Sequence, residues 1–252
     1  MGTEREGPPR PGSRLRDWAF ALVAGTIMGL YGLVAAPLAL VSATGCRRVM
    51  RVYVGTLLGL LRHGLGVETQ VRGRVPDYPC VIAAKHQSQL DVYLFFRALT
   101  RPRFLMKASL ARVPVFGYYT RRIGCITVER GQPGAAAAAV EGFRRAGGEI
   151  GQIVVYPQGT RVAPGLAAPW KRGAVLVAES LELPVVPAAT NAGVFWDRHG
   201  RLKGPGTAVI EFLEPLPAGL DIDAAMGEIE RRIERASDAL VAEAGGVPAG
   251  SG

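Results

Sequence analysis

Two kinds of apolar pattern divide the chain. Between residues 18 and 43 there is no charged side chain. A helix over those positions would reach about 39 Å at about 1.5 Å per residue, enough for a hydrocarbon core of about 30 Å. Residues 47–62 follow with a sharp helical period. Met50, Tyr53, Val54, Leu57, Leu58 and Leu61 recur at three and four, while Arg48, Arg51, Gly55, Gly59 and Arg62 lie opposite. An apolar stripe backed by arginines suits an anionic membrane surface; the other reading is a core-packing helix with a solvated face. Pro37 and arginines on both flanks leave open whether the first run spans the bilayer or forms a re-entrant or in-plane pair with the second. A cleaved secretory signal also has basic residues before an apolar run, but this run is long for one.

Past Gly66 the period changes. Alternation of Val67, Thr69 and Val71 with Glu68, Gln70 and Arg72 predicts a half-buried strand, and buried strands are expected over 79–84, 103–106, 125–128, 153–156, 185–189 and 208–213. Between them, helices are expected over 92–99, 113–122, 134–146 and 173–181. Pro133 starts the third and Gly147 and Gly148 stop it. A long helix over 221–244 closes the series, with Glu228, Arg231, Arg232 and Glu234 outward. Alternating strands and helices predict an α/β fold: a single mixed, mostly parallel sheet flanked by helices, with an N-terminal membrane-associated helical pair. The expected layout is a basic mobile tail over 1–17, membrane-associated helices over 18–65, an α/β domain over 66–245 and a flexible tail over 246–252.

Composition narrows the partners. The 252 residues carry 30 Lys and Arg against 21 Asp and Glu, a net charge of +9, which favours acidic partners: nucleic acid, anionic lipid, a phosphorylated substrate or an acidic carrier. Cys46, Cys80 and Cys125 are odd in number and far apart, which suggests neither a disulfide framework nor a metal site. No phosphate-binding glycine loop follows a strand, so no nucleotide cofactor is expected.

The candidate chemistry sits where the strand over 79–84 ends. Lys85 and His86 follow it, and Asp91 comes five positions after the histidine. On one continuous helix that spacing would hold the two about 140° apart. Across a turn from strand end to helix start they can meet, with the carboxylate at the helix N-terminus. The pair would then act as the last two members of a Ser-His-Asp triad, with a substrate alcohol as nucleophile. Ser88 is an alternative nucleophile within the motif. Lys107, Arg130 and Arg161 also fall at or just past predicted strand ends, where ligands collect in such sheets. Trp170, Lys171 and Arg172 are expected to pack the rim, and His63 and His199 to be surface residues.

Four blocks in order carry a resemblance: His86 to Asp91 as HxxxxD, Gly124 to Arg130 as GxxxxxR, Pro157-Gln158-Gly159-Thr160-Arg161, and an apolar block ending at Pro187. In these the chain resembles the 1-acylglycerol-3-phosphate acyltransferases. The resemblance implies His86 as general base and Asp91 as its orienting partner. It implies Arg130, Arg161 and Lys107 on the acceptor phosphate, Gln158, Gly159 and Thr160 in the adjoining loop, Gly124 in the second block, and Pro187 at the acyl or acceptor pocket. It also implies an acyl-CoA or acyl-carrier-protein donor, a lysophospholipid acceptor, membrane lipid as surroundings, and no metal, cofactor or nucleic acid. The expected location is the cytoplasmic face of the inner membrane. Gln158 stands where the family usually has glutamate, and Val128-Glu129 where a bulkier apolar residue and aspartate are common. The activity expected is transfer to the sn-2 hydroxyl of lysophosphatidic acid. Alternatives are another lysolipid such as a lyso-ornithine lipid, a lipid or thioester hydrolase, and a non-catalytic membrane-binding module.

Overall fold

The computed structural model describes residues 11–34, 37, 42–129, 134–146 and 150–248. Two helices, α1 (Pro11–Val34) and α2 (Ala43–Leu65), precede the strands β1 (Val67–Arg72) and β2 (Cys80–Ala84). Then come α3 (Gln89–Ala98), β3 (Pro102–Lys107), a 3₁₀ turn (Ala108–Arg112), α4 (Phe116–Arg122), β4 (Ile126–Val128) and α5 (Ala135–Ala146). The chain continues through β5 (Gln152–Val155), α6 (Gly173–Ser180), β6 (Val185–Thr190), the short α7 (Ala192–Phe195), β7 (Gly206–Phe212) and α8 (Ile222–Glu243). Among the described residues the strands form one sheet in the order β1-β7-β6-β2-β5-β3-β4, parallel throughout except for the antiparallel β6–β7 pair. The expected mixed, mostly parallel sheet is what the chain forms.

The central strands are apolar on both faces because helices cover both, as parallel sheets require. Side chains alternate with period two. Ile82, Ala84, Val154 and Val186 therefore join the core under α2 and α3, while Val81, Ala83, Ile153 and Val155 join the core under α5, α6 and α8. Carried past the end of β2, this alternation sends Lys85 toward α8 and His86 toward α3. Carried past β5, it sends Tyr156 to the same side as His86.

Several expectations are corrected. The apolar stripe of α2 turns inward: Val54, Leu57 and Leu61 are buried against the sheet and α3, so this helix is part of the α/β body. Its ends are well specified, by the Ser42 side chain accepting from Gly45 N–H and by Gly66 in the left-handed region. The outward apolar surface belongs to α1, where Leu15, Trp18, Leu22, Leu33 and Val34 are exposed. This helix is long and apolar enough to cross a membrane. It begins at Pro11, inside the stretch expected to be a mobile tail, and is tied down by Arg16 donating to Leu202 O and by Asp17 accepting from Leu202 N–H. Glu234 is not an outward residue of α8 but points at Lys85. Residues 1–10, Arg130, Pro133, Gly147, Gly148 and residues 249–252 lie outside the described residues.

Candidate active site

At the carboxyl end of β2 the chain turns into α3 through a capping box. Ser88 is the N-cap and its hydroxyl accepts from Leu90 N–H at 3.0 Å; Asp91, the third helical residue, reaches back to the N-cap backbone. Its Oδ2 accepts from Gln87 N–H at 2.8 Å and Ser88 N–H at 2.7 Å, and its Oδ1 faces His86 Nδ1 at 2.9 Å. The carboxylate has no solvent exposure. Three donors and the helix N-terminus stabilise its charge, and its acceptor character fixes the proton of a neutral imidazole on Nδ1. Nε2 is left as the basic nitrogen. The capping box explains the five-residue spacing: one carboxylate starts the helix and orients the ring.

The ring is held from its face as well. Tyr156 stacks on His86 with centroids 4.0 Å apart and an interplanar angle of 20°, the contact set up by the shared side of β2 and β5. Val162 N–H donates to His86 O at 2.8 Å, so the loop after β5 is pinned to the loop after β2. Gln87 Oε1 accepts from Gly193 N–H at 3.1 Å, linking the same turn to α7. On the other side of the sheet Lys85, only 3% exposed, is gripped by both Glu234 oxygens at 2.6 and 2.7 Å and lies 5.8 Å from the Trp170 ring centroid.

His86 opens onto a cavity of about 680 Å³ that runs between the sheet and α1, α2 and α4. Most of its wall is apolar or aromatic, including Met50, Tyr53, Phe96, Met106, Phe116 and Ile123. Its wall also includes His86, Lys107, Gly159, Thr160 and Arg161. Gly159 has φ of 70°, a left-handed conformation that glycine tolerates best, and its N–H closes the turn onto Tyr156 O at 2.9 Å. This arrangement can deprotonate a hydroxyl while two cations hold an anionic group nearby, with room beside them for a long apolar chain.

The remaining residues singled out in the sequence fall elsewhere. Arg130 lies outside the described residues, two positions beyond the end of β4. Gly124 lies before β4, at the other end of that strand from the cavity, and packs on Arg103. Gln158 is buried and turned toward Glu234, with Nε2 3.4 Å from its Oε1, and does not line the cavity. Pro187 is buried inside the sheet opposite Ala83 and is also outside the cavity wall. Ser88 is fully buried with its hydroxyl committed to the cap. No motif in the sequence marks Tyr156, Gln87 or Glu234 as site residues; the alternation of β2 and β5 is the signal that points to Tyr156.

Comparison with known proteins agrees with this geometry. The family model described as Acyltransferase matches residues 67–191, from β1 to the end of β6. The 1-acyl-sn-glycerol-3-phosphate acyltransferase of Pseudomonas aeruginosa is 30% identical over 197 residues, covering 75% of this chain and 74% of that protein. The human 1-acyl-sn-glycerol-3-phosphate acyltransferase beta is 27% identical over 159 residues, 62% of this chain and 57% of that one. The chloroplastic Brassica napus 1-acyl-sn-glycerol-3-phosphate acyltransferase BAT2 is matched over 53% of its length, so this chain spans about half of that relative. In fold, the crystal structure of the 1-acyl-sn-glycerophosphate acyltransferase PlsC from Thermotoga maritima superposes with a TM-score of 0.75 at 19% identity, over 91% of this chain and 96% of that one. On the extent of the Pseudomonas match and the placement of the family model across β2 and its turn, this chain belongs to the 1-acyl-sn-glycerol-3-phosphate acyltransferase family.

Proposed function

We propose that this protein moves a fatty acyl group from a thioester, acyl-CoA or acyl-carrier protein, to the sn-2 hydroxyl of lysophosphatidic acid, giving phosphatidic acid. The observation that carries the reading is the buried Asp91 carboxylate fixing His86 at the mouth of an apolar cavity edged by Lys107 and Arg161. A glycerol hydroxyl has a pKa far above neutrality while a free imidazole has one of about 6.5, so proton removal must accompany attack. As the alcohol oxygen bonds to the thioester carbonyl carbon, His86 Nε2 takes its proton and the imidazolium is stabilised by Asp91. The tetrahedral oxyanion then collapses, the C–S bond breaks, and the proton passes from Nε2 to the departing thiolate. Lys107 and Arg161 hold the acceptor phosphate, and the acyl chain lies along Met50, Tyr53, Phe96 and Phe116. Gly159 N–H and Val162 N–H are already used on Tyr156 O and His86 O. In this reading the N–H groups of Thr160 and Arg161, which lie between those two in sequence, supply the donors for the oxyanion.

Membrane lipid would surround the exposed face of α1, which delivers the acceptor, with the catalytic body at the cytoplasmic surface. The test supplies purified protein with acyl-CoA or acyl-carrier protein and one acceptor at a time: lysophosphatidic acid, a lyso-ornithine lipid, or none. Transfer that requires the phosphate-bearing acceptor is the expected result. Equal turnover onto an acceptor without phosphate overturns the assignment of the acceptor, and thioester cleavage without any acceptor makes the protein a hydrolase.

A further inference from the structure

The end of β2 sends two consecutive side chains to opposite sides of the sheet. His86 goes to the cavity, and Lys85 goes to the side covered by α8. Lys85 still pairs with the sheet, its N–H donating to Ala188 O of β6 at 2.9 Å, whereas His86 O accepts from Val162 N–H in the loop after β5. The direction in which the imidazole points therefore depends on how the chain is fixed one rigid peptide earlier, at residue 85.

Glu234 of α8 is what fixes it. Both of its oxygens accept from Lys85 Nζ, at 2.6 and 2.7 Å, and the Trp170 ring stands 5.8 Å from the ammonium. The same Oε1 accepts from Gln158 Nε2 at 3.4 Å, a long bond. Gln158 is buried, and its Oε1 makes no hydrogen bond among the described residues, so the polar contact that places a carboxamide here is the one with Glu234. Thr160 and Arg161, which line the cavity, follow in the same loop. One carboxylate is thus shared by the turn that carries His86 and the loop that carries Arg161.

Stability alone does not account for the arrangement. Taking an ammonium and a carboxylate out of water offsets much of their attraction, and apolar side chains of similar volume are often at least as stable. What the pair supplies is direction. Two short charge-assisted bonds hold Lys85 in one geometry, next to an imidazole whose displacement by about 1 Å can slow a reaction about 100-fold.

We propose that Glu234 is a positioning residue for acyl transfer, keeping the His86 turn and the Arg161 loop in register through Lys85 and Gln158. The role rests on the reading of His86 as general base. Glu234 itself does not line the cavity, so it acts only through these two partners.

The test compares the wild type with Glu234→Gln, Lys85→Met/Glu234→Leu and Gln158→Glu/Glu234→Gln. Each is read by acceptor-dependent thiol release, by a thermal melt and by the nitrogen NMR signals of the histidine rings, of which the chain has three. Glu234→Gln should lower kcat about 10- to 100-fold with KM for both substrates within about twofold, because the ring is misplaced and the binding groups remain. It should also shift or broaden the His86 ring signals, which are identified by their loss in His86→Ala. The apolar pair leaves no charge buried and should melt at or above the wild type, yet keep the low kcat. The exchange variant keeps one carboxylate and one carboxamide beside Lys85 and should return kcat to within about threefold of the wild type. The proposal is overturned if Glu234→Gln keeps wild-type kcat and ring signals. It is equally overturned if the apolar pair restores kcat together with stability, as a merely structural ion pair would. The ring signals need no substrate: should they respond to Glu234→Gln while the wild type transfers no acyl group, the link from Glu234 to His86 stands and the assigned reaction falls.

Discussion

Replacing Asp91 by asparagine tests the catalytic assignment with the least change of shape. In the native chain Oδ2 accepts two backbone N–H groups and Oδ1 faces His86 Nδ1, with the carboxylate fully buried. An asparagine has one oxygen for these two roles. Were its NH2 turned to the backbone, two buried N–H groups would face donors, at about 1–3 kcal/mol each. Were its oxygen turned to the backbone, NH2 would face Nδ1, and a neutral imidazole meets that by moving its proton to Nε2. The second arrangement costs less, so the ring adapts and the nitrogen proposed to accept the substrate proton already carries one. The same inversion in a serine-protease triad lowers kcat by about 10⁴. Stability should fall less dramatically, by about 1.5–3 kcal/mol for the lost charge-assisted bond, or roughly 3–12 °C in melting temperature. Asp91→Ala, which strands both backbone donors, should melt lower still. The assay is acceptor-dependent thiol release from the acyl donor, read with a chromogenic disulfide, alongside a thermal melt of each variant. Asp91→Asn turning over within about threefold of the wild type would refute the tautomer argument, since no general base would then need that carboxylate.

Other outcomes follow from the same contacts. Arg161→Ala should lower kcat/KM for lysophosphatidic acid about 10- to 100-fold, with KM for the acyl donor little changed, because the proposed charge-assisted phosphate contact is removed; steady-state kinetics in both substrates decide it. Tyr156→Leu should cost about tenfold or more in kcat with KM nearly unchanged, since it removes the stacked face that fixes the His86 ring. Asn191 is buried and joins three segments, accepting from Val209 N–H at 2.7 Å and donating to Leu240 O and Thr207 O at 3.1 and 3.3 Å. Asn191→Ala should destabilise by about 2–4 kcal/mol, measured by denaturant unfolding. Burial pushes the thiols up, Cys46 to about 11 and Cys80 and Cys125 to about 12. Their contribution to stability is complete below the unfolded thiol value of about 8.5 and is lost as pH rises through the folded values. Stability should therefore decline above about pH 9, and alkylation of the native protein near neutrality should be slow by mass spectrometry. Rapid labelling of any one cysteine would contradict its burial.

Much of the catalytic turn was legible from local chemistry. A strand that ends just before Lys85-His86 and a helix that begins shortly after, expected at residue 92, can be read from hydrophobic period alone, and HxxxxD gives a spacing that makes sense only across such a turn. The cap itself was legible too: Ser88 followed three positions later by an acidic residue is a helix-start signature, although the expected helix began at residue 92 and the observed one at Gln89. Glu234 escaped because it lies 149 residues from Lys85, and nothing in the helical period of α8 distinguishes an outward glutamate from one aimed at a buried ammonium. The pattern predicts a helical stretch around 113–122. Instead, Pro114 and a left-handed Val115 with φ of 60° delay α4 to Phe116.

Taken alone, the sequence determined the alternation of strands and helices, the apolar length of α1, and the cations and histidine at strand ends. These depend on period, cap chemistry and composition, which act within a few residues. Only the tertiary structure decided what covers each face. It turned the arginine-backed stripe of α2 into the body and left that of α1 outside. It set Tyr156 against His86 and Glu234 against Lys85. Periodicity states which side chains share a side, whereas their partners are chosen by packing across long stretches of chain.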